Sequence, residues 1–494
     1  MDDIKKLYDS WLYRHLTPFG RICVIKSLAL SKLSHVVLVC PHVTTDMLNE
    51  LTVMSFKFLW KNKPDRMKRV DTMLPLNKGG LNMPDIGTFW DSLKISWARR
   101  FLAEDCLWQK LLQLNLLHEN YDMKDLIFGG PVLVKQVGMS LSNLFWKETI
   151  IAFSKLCESI PDAHPHMFYH LNIFKSKLFS GGGIFIEKAD FPELWSRSLA
   201  QVGDFYDCER QPPAILSLTD LNEKYHIRLN FLRYLRIKTC IERAAKAVKG
   251  NIFVKTKCDI MLPRLPLLFK IGCLENKGCQ TFYLTLRSTE VNKCNLNQKA
   301  IDKWHEELGL EFDKITWNTI WSLPKKYVIG NKMKWVSIQI NQHILPTNYT
   351  VSQYNRNVDP GCSLCNRTHP EKLNLLLWGC PMVQHFWSLI GNLITEYYPD
   401  FRLGLKEAIF GDVKSEGNSV PNSLLVLARQ FIYRQKFTTK TLDEVVYINY
   451  MKQELKFLYE TAIFKGESVK FLQTWTDIMN HFDVNIDEGG LADR

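Results

Sequence analysis

Apolar residues recur at helical spacing along the first hundred positions, between residues that start and stop helices. Thr17 is predicted to cap a first helix that begins at Pro18, where the missing N–H costs nothing. The apolar run then continues until Pro41. A second helix is predicted to start near Thr44 or Thr45, where an acidic residue follows in the first turn.

The same pattern continues beyond the second helix. The pair Gly79-Gly80 predicts a turn, and Asp85 predicts the cap of a third helix. In the less regular middle of the chain, residues from His226 to Ala247 favour a helix, and the glycine run 181–183 predicts the turn of a small hairpin.

The C-terminal third returns to helical spacing. Thr441 and Glu444 are predicted to form a capping box, in which each side chain satisfies an N–H of the first turn. The helix that follows should run to about Phe464, with Gly466 past its end. Residues 411–422 are the best linker candidate. Together these patterns predict a mainly α-helical chain.

The composition is typical of a large globular protein. The chain has 494 residues, of which 46% are hydrophobic, enough for a large core and two or three domains. The apolar stretch from Val24 to Cys40 is too short and too charged to span a bilayer. The N-terminus has no signal-peptide pattern. We therefore predict an intracellular protein, in nucleus or cytoplasm, with reduced cysteines and no membrane partner.

The net charge of +12 is uneven, since the first hundred residues hold sixteen basic and nine acidic side chains. A basic end suits nucleic acid or an anionic membrane surface, and charge alone does not distinguish them. Positions 57–69, here called the basic segment, carry a cluster that would bind the phosphates of RNA or DNA or form a solvated loop. Its members are Lys57, Lys61, Lys63, Arg66, Lys68 and Arg69.

Aromatic and apolar residues interleave with these charges. Trp60 has two interpretations: it stacks on a base, or it belongs to the core. The core interpretation is favoured, because Phe58, Leu59 and Trp60 end an amphipathic helix.

A second candidate site contains cysteines. Cys362 and Cys365 are separated by two residues, are followed by Cys380, and are flanked by His369 and His385. A two-residue gap lets both thiolates reach one metal from a tight turn, and tetrahedral zinc takes four such ligands. Spacing alone leaves open both a zinc site and three reduced cysteines packed in a core.

Enzyme motifs are absent from the sequence, which has no Gly-x-Ser-x-Gly elbow, His-Glu-x-x-His helix or phosphate-binding loop. Asp2 and Asp3 form a carboxylate pair with no strand before it, whereas a two-metal polymerase site needs carboxylates fixed in place. We therefore predict that the chain is not an enzyme and has no small-molecule substrate.

Two blocks of motifs stand out from the helical pattern. The first comprises Trp11, Arg14, Leu16-Thr17, Gly20-Arg21, residues 24–28, Ser31-Lys32-Leu33, Pro41, Phe58-Leu59-Trp60, Arg69, Pro75, Gly79-Gly80-Leu81, Pro84-Asp85-Ile86, Leu93-Lys94 and Trp97. The second comprises Lys303-Trp304, Leu308-Gly309, Leu345-Pro346-Thr347-Asn348, Cys362, Cys365, Trp378, Cys380-Pro381, Val383-Gln384 and Phe386-Trp387. They resemble the thumb and the zinc-binding segment of LINE-type non-LTR retrotransposon reverse transcriptases, over about a third of the chain.

This resemblance implies a domain order and a partner. RNA or DNA would bind to the basic segment together with Arg21 and Lys26 of the thumb-like motif. The implied regions are a thumb-like helical region at 1–110, a helical linker region at 111–300, a zinc-binding-like domain at 301–410 and C-terminal helices at 423–487.

The resemblance also implies zinc as a cofactor, held by Cys362, Cys365 and Cys380. The zinc histidine of the family lies five positions before the last cysteine, where this chain has Leu375. The fourth ligand is therefore predicted to be His369.

The catalytic Tyr/Phe-x-Asp-Asp box of the family lies well upstream of the thumb motif, and the sequence begins about ten residues before Trp11. We therefore expect a non-catalytic C-terminal fragment, without polymerase or endonuclease. The alternative is a decayed retroelement relic, or a helical protein-interaction module without nucleic-acid function.

Overall fold

The computed structural model is mainly α-helical, which confirms the predicted fold class. Within the described residues, the strands are β1 (Tyr206–Asp207) and β2 (Ala214–Ile215), which pair antiparallel. None of the helices described combines the length and apolar character needed to cross a bilayer. The described residues are 1–39, 43–103, 107–163, 165–207, 210, 213–248, 279–293, 297–309, 312–327, 330–365, 369–413, 419–438 and 441–484.

The three predicted N-terminal helices start where they were predicted to start, and the helix over Asp2–Leu12 was not predicted. The N–H of Gly20 donates to Thr17 Oγ1 at 3.3 Å, which confirms the predicted cap. The N–H of Met47 donates to Thr44 Oγ1 at 3.2 Å, so Thr44 caps the second predicted helix. Beyond its first turns, the first predicted helix changes to π-helical geometry. The elements are α1 (Asp2–Leu12), α2 (Pro18–Val24), a π-helical segment (Ile25–Leu30), α3 (Ser31–Val39), α4 (Thr45–Leu59), α5 (Arg69–Thr72), a 3-10 turn (Leu76–Lys78) and α6 (Ile86–Ala103).

The turn before α6 also follows the prediction. The N–H of Thr88 donates to Asp85 Oδ1 at 2.9 Å, so Asp85 is the cap of α6. Gly79 has a φ of +81°, in the left-handed region that favours glycine. A Cβ at Gly80 would lie 2.2 Å from the carbonyl oxygen of Leu74. Both turn positions therefore require glycine.

The middle of the chain differs from the prediction in two places. The glycine run turns the chain as predicted, with an antiparallel bridge between Gly181 and Ile184, but the flanking residues form no strands. The helix predicted from His226 begins at Phe231, because His226 has a φ of +52° and ends the preceding helix. The elements are α7 (Leu107–His118), α8 (Met123–Ile127), α9 (Pro131–Ser140), α10 (Leu144–Ala163), 3-10 turns (Pro165–His170, Lys177–Phe179, Val202–Phe205), α11 (Pro192–Ser196), α12 (Leu218–Tyr225), α13 (Phe231–Ala247) and α14 (Cys279–Lys293).

In the C-terminal third, one helix ends as predicted but starts later. It ends at Phe464, and Gly466 follows with a φ of +72°. Its cap is Asp443, whose carboxylate accepts from the N–H of Val446 at 3.0 Å, rather than Thr441. The elements are α15 (Gln298–Leu308), α16 (Lys314–Tyr327), α17 (Asn331–Asn341), α18 (Asn348–Ser352), a π-helical segment (Leu375–Gly379), α19 (Pro381–Tyr397), α20 (Leu405–Phe410), α21 (Ser419–Gln435), α22 (Glu444–Phe464) and α23 (Ser468–His481).

The predicted linker at 411–422 is shorter in the structure. Asn422 lies in α21 and is buried, and its side chain exchanges hydrogen bonds of 2.8 and 3.1 Å with the backbone of Asp412. A buried polar group that is paired in this way belongs to a packed element. Residues 414–418 of the predicted linker lie outside the described residues.

The chain forms two compact units, each assembled from separate stretches of sequence. Unit 1 contains residues 1–7, 25–55 and 84–294, and its core lies among α6, α9, α10 and α14. Unit 2 contains residues 8–24, 56–83 and 295–494, and its core includes the fully buried indoles of Trp304 and Trp387. The basic segment beyond position 55 and the cysteines both belong to unit 2.

Candidate metal centre and nucleic-acid interface

Cys362, Cys365 and Cys380 meet in unit 2, with their Sγ atoms within 4.8 Å of one another. They are here called the cysteine cluster. Cys362 and Cys380 are fully buried and Cys365 is partly buried. Zinc bonded to sulfur at about 2.3 Å requires neighbouring sulfurs about 3.8 Å apart in a tetrahedron. The donor set therefore fits a tetrahedral metal with a movement of at most about one ångström.

A short backbone ladder forms the turn that carries the first two cysteines. Gly361 and Pro370 form an antiparallel bridge. The N–H of Cys362 donates to the carbonyl of His369 at 3.0 Å, and the N–H of Gly361 donates to Asp359 Oδ1 at 2.8 Å. The third cysteine comes from a different element: Cys380 follows the second π-helical segment and caps α19, which begins with a proline at its first position.

Glu371 connects this turn to two other parts of unit 2. Its carboxylate accepts from the N–H of Asn348 at 2.8 Å, and from the N–H and hydroxyl of Ser363 at 3.1 and 2.9 Å. It also forms an ion pair with Lys436, and both side chains are buried. Since Ser363 lies between the two cysteines of the turn, Glu371 holds them in position from outside the cluster.

The thiols of the cluster are not equivalent. A hydrogen bond between Cys362 and Cys380 raises the pKa of Cys362, with burial adding to the effect, and lowers the pKa of Cys380. Burial raises the pKa of Cys365. Cys380 is therefore the thiol that loses its proton most readily, and metal binding would displace the protons that the cluster still holds.

The cysteine cluster supplies three metal ligands and not the fourth. The set of ligand atoms within 4.8 Å contains the three cysteines and does not include His369, which is exposed on the same loop. His385 is exposed on α19. Leu375, at the histidine position of the resembled family, begins the π-helical segment that ends beside Cys380. The assignment of His369 as a ligand stays a prediction.

The basic segment lies on the surface of its unit, except for its apolar members. All six of its Lys and Arg residues are exposed. Trp60 is only 5% exposed, and its ring centroid lies 6.1 Å from that of Trp335, which confirms the core interpretation. After α4 ends, Lys61 and Asn62 take positive φ angles of 54° and 58° and turn the chain.

The other two predicted nucleic-acid contacts are placed differently. Arg21 is only 7% exposed, and its Nε and Nη1 atoms have no hydrogen-bond partner among the described residues. Burial, and next the charge of Arg66, lower the pKa of Arg21 to about 10. Lys26 is exposed on the first π-helical segment, in unit 1. Arg21 thus adjoins the basic segment from inside unit 2, and Lys26 belongs to the other unit.

The sequence-based prediction missed four charged residues of these sites. Glu371 and Lys436 are 65 positions apart in sequence, and no local pattern indicates that they pair. Lys299 and Lys303 of α15 line a cavity together with part of the basic segment. Their spacing of four along a helix predicts a shared face, but not what that face adjoins.

The sequence motifs identified only part of the cysteine cluster and of the basic segment with its surroundings. The motifs identified the three cysteines and the six exposed cations, and the contacts that hold them come from the structure. A comparison of the sequence with models of known protein families finds no family that matches it.

Proposed function

We propose that this chain is a non-catalytic part of a LINE-type retrotransposon reverse transcriptase that holds RNA or DNA through the basic segment. The observation that carries the proposal is the exposure of six cationic side chains within thirteen residues. Trp60, buried at the start of this stretch, anchors the charges to a packed core. A cationic surface fixed in this way suits a polyanion better than a freely solvated loop does.

Binding at this segment would be electrostatic and independent of base sequence. Lys and Arg side chains displace the counterions condensed on a strand, and the release of those counterions supplies the affinity. The guanidinium groups of Arg66 and Arg69 offer paired donors for phosphate oxygens. Because Trp60 is buried, it contributes no stacking on bases.

The proposal is tested by removing the charges of the segment. Binding to unrelated RNA and DNA sequences should weaken to a similar degree in the full chain. The slope of log K against log salt should fall by about 0.7 to 0.9 for each phosphate that the variant no longer neutralises. The substitutions are Lys61→Ala, Lys63→Ala, Arg66→Ala, Lys68→Ala and Arg69→Ala.

A matched control removes three lysines and two arginines that are also exposed in unit 2 but lie outside the basic segment. The control changes the net charge equally, so it should bind almost as the parent does. Equal affinity and salt slope in all three folded proteins would overturn the proposal. The control substitutions are Arg356→Ala, Arg402→Ala, Lys406→Ala, Lys456→Ala and Lys470→Ala.

We infer that the cysteine cluster binds zinc as a structural ion, with His369 as the fourth ligand. Thiolates are soft donors that suit zinc, and four ligands complete its tetrahedron. The support is the approach of three Sγ atoms to within 4.8 Å and the place of His369 on the cysteine turn. Zinc held there would join this turn to the start of α19 and stabilise the fold of unit 2.

A helical protein-interaction module is the second candidate, and one observation favours it. Leu107, Leu111 and Leu114 are 69%, 38% and 63% exposed on α7, at spacings that put them on one face. Exposed apolar stripes of this kind mark surfaces that pack against other proteins. If Leu111→Glu and Leu114→Glu change the oligomeric state while the basic segment proves inert, this candidate replaces the first.

A further inference from the structure

A cavity of about 340 Å³ lies within unit 2, beside the basic segment. Arg66, Lys68 and Arg69 of that segment line it, together with Lys299 and Lys303 of α15. Two stretches of chain that are more than two hundred positions apart thus supply five cations to one cavity. It is here called the cationic cavity.

The two carboxylates of the cavity, Asp65 and Asp71, neutralise only part of this charge. Asp65 forms an ion pair of 2.8 Å with Arg69. Asp71 is buried and accepts from the backbone N–H of Asn297 at 3.1 Å. In the part of the chain that the structure describes, the other four cations of the cavity form no ion pair within 4.0 Å. A net positive charge therefore remains.

The helix that borders the cavity adds to this charge. α15 begins at Gln298, so Lys299 stands in its first turn, where the helix has a partial positive charge. Lys299 and Lys303 are four residues apart and repel each other on one face. Burial, and next the charge of Lys299, lower the pKa of Lys303. An anion bound between these lysines would relieve the repulsion.

A buried guanidinium extends the positive region. Arg21 lies close enough to Arg66 for the two charges to repel, and its buried Nε and Nη1 atoms make no hydrogen bond to any residue that the structure describes. Buried charges are ordinarily paired with an opposite charge. The surroundings of Arg66 therefore favour the binding of an anion over a further cation.

We propose that the cationic cavity binds a phosphate group of a nucleic-acid strand, with Lys299 and Lys303 as contacts outside the basic segment. Its volume lies within the range of roughly 300–1,000 Å³ that is usual for small-ligand pockets. Met67, Ala300 and Ile344 form an apolar part of its wall, on which the sugar or base of the same nucleotide can pack. The assignment rests on the proposed binding of RNA or DNA.

The test uses the full chain and two kinds of probe. One is a labelled oligothymidylate, followed by anisotropy at several salt concentrations. The other is adenosine monophosphate compared with adenosine in equilibrium dialysis, which detects a need for phosphate without a strand. The variant is Lys299→Ala with Lys303→Ala. The matched control is Lys452→Ala with Lys456→Ala, a pair at the same spacing on α22.

The variant should bind oligothymidylate about tenfold more weakly, because charge-assisted hydrogen bonds are removed. Its salt slope should fall by about 0.7, the value for one phosphate of a single strand. It should also lose the preference for adenosine monophosphate over adenosine. Lys299→Arg with Lys303→Arg should keep both properties, which shows that charge rather than folding is responsible. The control should behave as the parent does.

The remaining outcomes separate the two proposals. If the parent binds oligothymidylate and the variant binds it equally well, the cavity assignment is wrong and the basic segment alone binds the strand. If adenosine monophosphate binds through Lys299 and Lys303 but no strand binds, the cavity is a nucleotide site and strand binding is overturned. If neither probe binds the parent, both proposals fail.

Discussion

Leu375 lies one π-helical turn before Cys380, whose backbone N–H donates to the Leu375 carbonyl at 2.9 Å. A π-helical hydrogen bond joins residues five apart, so position 375 and Cys380 are neighbours in space. Replacing Leu375 by His therefore puts a nitrogen ligand one turn from the cluster. His369 is exposed on a loop and is less preorganised for binding a metal.

We expect Leu375→His to raise zinc affinity by at least tenfold, since even outer hydrogen-bond partners change metal affinity roughly 10–100-fold. His369→Ala should abolish zinc binding in the parent. The control is His385→Ala, which removes an exposed histidine of α19 and should leave zinc binding unchanged. Metal content is measured by mass spectrometry on chelator-washed protein. If the parent and His369→Ala both retain one tightly bound zinc, the fourth ligand is another group.

Glu371 and Lys436 allow a second residue-scale prediction. Glu371→Gln should leave the buried ammonium of Lys436 without a countercharge, which destabilises a protein by about 3–5 kcal/mol. Combining it with Lys436→Met should restore part of the stability, because no unpaired charge then remains. Urea unfolding measures both effects.

The exposed pair of Lys177 and Glu158 provides the control for this experiment. Lys177→Met should change stability by less than about 1 kcal/mol, as is usual for a surface ion pair. If Glu371→Gln unfolds at the same urea concentration as the parent, the buried pair does not hold the cysteine turn.

At the scale of elements, helix starts could be predicted wherever the signal is local. Thr17, Thr44 and Asp85 each bond to an N–H three residues along, so the sequence shows both partners. At α22 the predicted cap was Thr441, but Asp443, two residues further along, forms the bond. The π-helical segments had no such signal, because apolar spacing does not distinguish a π-turn from an α-turn.

The third prediction concerns Gly79, whose turn packs against α16. A Cβ there would lie 2.6 Å from Cε3 of Trp321 in α16. Gly182 has a similar positive φ, and a Cβ there would have nothing within 4 Å. Alanine at either position costs about 1–2 kcal/mol for the left-handed backbone, and only Gly79→Ala adds the overpacking penalty.

The loss of stability for Gly79→Ala should therefore exceed that for Gly182→Ala by about 1–3 kcal/mol. Thermal or urea unfolding of the two variants measures the difference. Equal losses would mean that the backbone angle alone requires glycine and that the turn does not pack closely on Trp321.

At the scale of the whole molecule, the assembly of unit 2 could not be predicted from local patterns. Asn297 donates from its backbone to Asp71 Oδ1 at 3.1 Å and from its side chain to the carbonyl of Lys78 at 2.8 Å. Its side-chain oxygen accepts from Gln342 at 2.8 Å. These partners are up to 226 positions away. Helical spacing identifies each helix but not which distant turn it packs against, so the four predicted contiguous regions stay predictions.

The last prediction is that the chain has no polymerase activity. Two-metal catalysis needs carboxylates held in place around a pair of metal ions. Within the described residues, the strands are the two-residue β1 and β2, and their acidic residue is Asp207. Asp2 and Asp3 begin α1. Primer extension on a homopolymer template with magnesium or manganese should therefore give no product above background, with a known reverse transcriptase as the positive control. Template-dependent product that disappears in Asp2→Asn with Asp3→Asn would instead place a polymerase site on this chain.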